Sequence, residues 1–315
     1  MIRWLAAVTL FAAVPAAHAQ PYPARPIRMI VASTPGSGVD IVARIVAQRM
    51  SETLGSALVV DNRAGAGGTI GVQMASRAAP DGYTILMAAP SLTINALLVQ
   101  PTPYDAVRDF SAIGQATTSH YVIVTNPSLP VRSVKALVAL AKAKPGQLNY
   151  GSGGNGNSTH LAAEYFKSLT GTDIVHVAYK GSGPAVVDLL GGQVQLMFAN
   201  VVAVLPHIKA GRLRALATTA QSRSLATPDV PTVVESGVPG YVVTSWFGLL
   251  APARTPQMAV GKLNSALVAA MRERDLLERL TVEGAEPAAG TPDAFARHIA
   301  SELAIWGKVI RASGL

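Results

Sequence analysis

The stretch "NYGSGGNGNSTHLAAEYF" at residues 149–166 decides how the chain is read. Four glycines, Gly151, Gly153, Gly154 and Gly156, separate a short apolar run from a helical pattern. Glycine serves where a backbone must turn sharply or come close to another group. Asn157, Ser158 and Thr159 then offer side chains that cap a helix start. The stretch reads as strand, glycine loop, helix. Such a loop can hold a nucleotide phosphate, a reacting acyl group or a free anion, and many such turns hold nothing.

A counterpart lies upstream in "RMIVASTPGSGVDIVAR" at residues 28–44, with Ser33, Thr34, Gly36, Ser37 and Gly38 in the turn. A helix N-terminus carries about half a positive charge and several unpaired N–H donors. Small residues in front let an anion reach that backbone.

Strand and helix patterns alternate through the rest. "IRMIVAS", "ALVVDN", "YTILMAA", "LNYGS", "IVHVAY", "VQLMFA" and "LRALATT" read as strands. "VDIVARIVAQRMSETL", "GVQMASRAA", "SVKALVALAKAKPG", "GPAVVDLLGG" and "AVGKLNSALVAAMRE" read as helices. A last helix is expected over "DAFARHIASELAIWGKVIRA", with Phe295, Ile299, Leu303, Trp306 and Ile310 as its buried stripe. This alternation argues for an α/β architecture with mainly parallel sheets. At 315 residues the chain exceeds what one core usually serves, so two α/β lobes are expected.

The catalytic fingerprints fail on spacing. No G-x-x-x-x-G-K-[ST] run occurs, and "GAGGTIG" at residues 65–71 misses the dinucleotide pattern by one residue. "GNSTH" places His160 where a serine-hydrolase elbow needs glycine, and His160 is too close to Ser158 to be its triad partner. A structural role for His160 is expected. Six histidines without cysteine or H-E-x-x-H give no metal set. Anion-holding loops without a nucleophile and its base indicate binding: no enzyme, no catalytic residues, no metal and no cofactor.

Arg3, the apolar run "WLAAVTLFAAV" and "AHA" at residues 17–19 form a secretory leader, with cleavage expected after Ala19. No other segment supplies ~20 unbroken apolar residues, so an exported, periplasmic, soluble chain is expected. Without cysteine there is no disulfide. The formal charge of +8, one less without Arg3, comes from scattered basic residues not interleaved with aromatics. That suits attraction of anions and not a nucleic-acid surface.

Together the segments "YPARPIRMIVASTPGSGVDIVARIVAQRMSETLG", "VVDNRAGAGGTIG", "APDGYTILM", the opening stretch, "VHVAYKGSGPAVVDLLGGQVQLMF", "DVPTVVESGVPGY", "SWFGLLAPARTP" and "LAIWGKVIRASG" closely resemble one family. It is that of the solute receptors of tripartite tricarboxylate transporters, the Bug (Bordetella uptake gene) receptors. The resemblance spans essentially the whole chain after the leader. It implies a type II periplasmic-binding-protein fold, in which two α/β lobes joined by two crossing strands enclose a ligand cleft. Carried over, residues 1–19 are the signal peptide, 20–118 and 246–315 lobe 1, and 119–245 lobe 2. The crossings fall near 115–124 and 242–249.

The resemblance also implies a small carboxylate ligand held by both glycine loops. Ser33, Thr34, Gly36 and Ser37 then belong to the first loop, and Ser152, Asn155, Asn157, Ser158 and Thr159 to the second. Ala89, Ser91, Ala199 and Asn200 form the far wall, and Tyr179 through Ser182 flank it. Membrane permease subunits or a sensor kinase are the implied partners of a monomer. An exported hydrolase built on Ser158 is the alternative of another class. The first loop departs from the family's "PFPPGG": here "ASTPGS" puts Ser33 or Thr34 at an aromatic position and Ser37 at a glycine. These residues either add polar contacts or open space. Asp40 is expected to stabilise its own helix, Trp246 and Phe247 to belong mostly to the core, Lys180 and Arg44 to be solvated, and "NRAGAGG" to be a surface turn.

Overall fold

Ile27–Val31 (β1) is buried along nearly its whole length, as a strand inside a parallel sheet must be. Gly38–Leu54 (α1) follows, burying Val39, Val42, Val46 and Met50 on one face and stopping at Gly55 in the left-handed conformation. Leu58–Asn62 (β2), Thr69–Ser76 (α2), Thr84–Ala88 (β3) and Ser91–Leu98 (α3) complete the first unit. Then comes Phe110–Thr125 (β4), a strand of 16 residues. The second unit holds Val134–Ala143 (α4), Asn149–Ser152 (β5), Ser158–Thr170 (α5), Val175–Ala178 (β6), Ser182–Leu190 (α6), Leu196–Asn200 (β7), Val201–Lys209 (α7) and Arg214–Thr218 (β8). The chain returns through Thr244–Pro252 (β9) and ends with Gln257–Ala270 (α8), Arg274–Val282 (α9), Glu286–Pro287 (β10) and Pro292–Ser313 (α10). The structure is a computed structural model that describes residues 22–313, so the leader and its cleavage site lie outside the described residues.

The strands run in the order β2-β1-β3-β9-β4-β7-β5-β6, with β8 and β10 also on β4. Pairing is parallel within each unit: β1 with β2 and β3, and β5 with β6 and β7. The expectation of mainly parallel sheets needs amending at the junction. There β9 runs antiparallel to β3 and β4, and β4 antiparallel to β7 and β8, because the chain crosses between units and then returns. Up to His120, β4 pairs with β9, and from Tyr121 onward it pairs with β7 and β8. At the return crossing the Val243 N–H donates to the Thr219 carbonyl, and the Thr219 N–H to that of Tyr121.

Helix α10 reaches both halves. Phe295 and Ile299 join an apolar cluster with Trp246, while Trp306 and Ile310 join another with Tyr241 and Phe198. Between them Glu302, not the half-buried Leu303, takes the inward position, since 295, 299, 302, 306 and 310 share one helical face. The indole N–H groups of Trp246 and Trp306 both donate to its carboxylate at 2.9 Å. Among the described residues no helix is long and apolar enough to cross a membrane.

Candidate ligand-binding site

Helix starts from both units converge on a cleft in front of the crossing strands. Ser37, Gly38 and Val39 present the start of α1, and Asn157, Ser158 and Thr159 that of α5. Ser91, Ser182 and Asn200 add the starts of α3, α6 and α7. These five N-termini border the cleft, each bringing the partial positive charge of a helix start, although the N–H groups of Thr159, Gly183 and Val202 are already paired. None of the residues lining this cleft is Lys, Arg, His, Asp or Glu. Any attraction for an anion at this wall then comes from the helix starts and not from cationic side chains lining it.

Two fully buried hydroxyls there lack a partner. Ser37 stands at the N-cap of α1, yet its side chain makes no capping bond, and its Oγ is buried and unpaired. The Tyr121 phenol is buried beside Ser158 and Ser245 without meeting either at bonding geometry. Burial raises its pKa to about 12, so it stays a proton donor. Val72, Met87, Ala88 and Phe247 supply an apolar side.

Of the expected positions, Ser33, Ser37, Ala89, Ser91, Asn157, Ser158, Thr159 and Asn200 come together on the wall. Some are already engaged. The Asn157 Oδ1 accepts from the Thr159 N–H and hydroxyl, and the Thr159 Oγ1 accepts from the Gly153 N–H at 2.9 Å. Asn200 caps Val202 and donates to the Ser119 hydroxyl.

Six expected residues are not placed on the wall. The Thr34 hydroxyl accepts from the Gly183 N–H at 3.2 Å and so ties the first loop to the start of α6. Gly36 turns with φ +76° and donates its N–H to Asp40. Ser152 is buried behind the loop, with its hydroxyl between His176 and Gly154. The Asn155 side chain is exposed, and its carbonyl abuts Gly67. The Tyr179 hydroxyl donates to Asp188. Ala199 is buried in the apolar core beneath the wall.

The other readings divide. The Asp40 carboxylate accepts from Gly36, Asn62 and Arg44 at the start of its own helix. His160 takes the structural role: its Nδ1 accepts from the Gly156 N–H and its ring stacks on His176 at 4.2 Å. Arg44 is ion-paired with Asp40, and Trp246 is core. "NRAGAGG" is not merely a surface turn. Gly67 is buried so close to the second loop that a Cβ there would lie 2.2 Å from the Asn155 carbonyl oxygen.

Tyr121, Ser245, Val72 and Met87 escaped the sequence reading. The first two reach the cleft from the crossing strands, and the last two sit among core residues with ordinary apolar patterning.

The profile of the tripartite tricarboxylate transporter family receptor matches residues 42–315. The chain is 40% identical to protein BugT of Bordetella pertussis over 100% of its own length and 98% of that protein. Its structure is similar to Rhodopseudomonas palustris Rpa4515 with adipate, at TM-score 0.90 and 36% identity, covering 93% of this chain and 98% of that one. It is also similar to MatC from the same organism with bound malate, at TM-score 0.88 and 30% identity, covering 92% and 100%. The chain therefore belongs to the tripartite tricarboxylate transporter receptor family, solute receptors built on the two-lobed periplasmic-binding-protein fold.

Proposed function

We propose that the chain is a periplasmic receptor that captures a small organic carboxylate and presents it to the permease of a tripartite tricarboxylate transporter. The observation that carries this is the cleft itself: five helix starts and two unpartnered hydroxyls face a space with no charged side chain. The adipate and malate in its structural relatives support the same ligand class. In this reading Ser33, Ser37, Ser91, Ser158 and Asn200 hold the carboxylate together with Tyr121 and Ser245. Lobe 1 is 20–118 with 246–315, lobe 2 is 119–245, and export removes residues 1–19. The receptor acts as a monomer and carries out no catalysis: Ser158 neighbours the Tyr121 phenol, while the His160 ring is committed to Gly156 and His176.

Calorimetry on protein lacking residues 1–19, titrated with malate and adipate, tests this. Binding near micromolar, roughly −8 kcal/mol, is expected for at least one of them. Tight binding of ATP or NAD with no response to either acid would overturn the reading.

A further inference from the structure

The crossing strands border more than the cleft. In β4, the Ser119 hydroxyl accepts from Asn200, and Ser119 lines a second space together with Thr118 and His120. In β9, Ser245 borders both the cleft and this second space, which Thr244 and Trp246 also line. That second space is a cavity of about 220 Å³. Its outer rim is formed by the exposed Ser222 and Arg223 from the loop after β8, and by Glu286 and His298 from β10 and α10.

Two imidazoles border it with nothing to bind. His120 is 5% exposed, and its Nε2 has no hydrogen-bond partner. The Nε2 of His298 is likewise buried and unpaired. Unpaired buried polar atoms are costly and rare in native structures. Burial lowers the His120 pKa to about 4, so its ring is neutral and offers one donor and one acceptor.

The charge pattern differs from that of the cleft. No helix start opens into this cavity. Arg223 is paired with Glu235, which leaves Glu286 as the uncompensated charge on the wall. An anion finds no attraction here. The neutral His120 imidazole, the His298 ring and the hydroxyls of Thr118, Ser222 and Thr244 instead match groups that both donate and accept. We propose that this hinge cavity is a second binding site, for a small uncharged polyhydroxylated solute whose hydroxyls pair with His120, His298 and the wall hydroxyls. Its walls come from both units, so a bound solute bridges them.

The test uses nitrogen-15-labelled protein titrated with glycerol and with glucose, reading the histidine side-chain resonances. A saturable shift at His120 and His298 is expected, with His207, which lies outside both cavities, unmoved. Ala220→Trp, which fills the cavity from its loop side, should weaken that response at least tenfold while the thermal midpoint is kept. If that variant does not fold, His298→Phe should weaken the His120 response by the same factor. The proposal is overturned by no saturable shift with either probe, by equal shifts at His207, or by an undiminished response in the folded variant. It is also overturned if malate moves these two imidazoles as strongly as the sugar does.

Discussion

Two adjacent side chains in the second loop, Ser158 and Thr159, look alike in sequence and do different work in the fold. The Thr159 hydroxyl is spent on the loop, accepting from Gly153 and donating to Asn157. The Ser158 hydroxyl stays on the cleft wall beside Tyr121. A hydrogen bond to a charged group is worth about 1.5–3 kcal/mol. Ser158→Ala should therefore weaken carboxylate binding by roughly ten- to a hundredfold, with the melting temperature nearly unchanged. Thr159→Ala should lower the melting temperature, because the Gly153 N–H loses its acceptor inside the protein. Calorimetry and thermal melts of the two single variants check this. Equal melting temperatures together with equal affinity losses would show that the two hydroxyls share one role.

At the scale of elements, the β5–α5–β6 unit carries a stacked pair of neutral histidines. Burial lowers the His176 pKa from 6.5 to about 4, helped by His160, and burial lowers that of His160 too. Glu164 and Lys167 of α5 face the pair, and Tyr150 stacks on His176 from β5. A base whose folded pKa is depressed resists protonation in the native state only. As pH falls below about 6.5 the unfolded chain takes up protons that the fold refuses, so stability drops by up to about 1.4 kcal/mol per pH unit for each histidine. The loss runs down to about pH 4, where native His176 also titrates. Urea melts between pH 7.5 and 4.5 should show this fall, with a smaller slope in His160→Asn; a flat profile from pH 7 to 5 would refute it. Much of this unit was legible beforehand, because strand-to-helix alternation and capping residues are local signals. Helix α7 was not: "VVAVLPHIK" is β-branched and has Pro206 inside, so its local preferences oppose the helix that its packing imposes. Tyr121 and Ser245 were hidden for another reason. They reach the cleft through long-range pairing of β4 with β7 and β9, which periodicity does not record.

Across the whole molecule, the two halves touch at the cleft where glycine backbone of one half or the other allows close approach. Thr34 meets Gly183, Gly67 meets Asn155, and Asn95 lies so near Gly156 that a Cβ there would be 2.1 Å from its Oδ1. Contacts this close exist only when the halves are together, and a ligand that touches both sides favours that state by its differential affinity. The buried Glu302 gives that motion an optical readout. Its carboxylate binds two indoles, Trp246 on a crossing strand and Trp306 in the apolar cluster of the opposite half. The chain has three tryptophans, and the third, Trp4, lies in the stretch read as leader. The tryptophan emission of the exported protein would then come only from the two residues that share one carboxylate. Trp246 stands near the start of the crossing strand β9, where the hinge moves, so its surroundings change on opening and emission should shift saturably as malate or adipate is added, and Trp306→Phe should simplify the signal to a single source. Constant emission through a titration that calorimetry shows to saturate would mean that the two halves do not move.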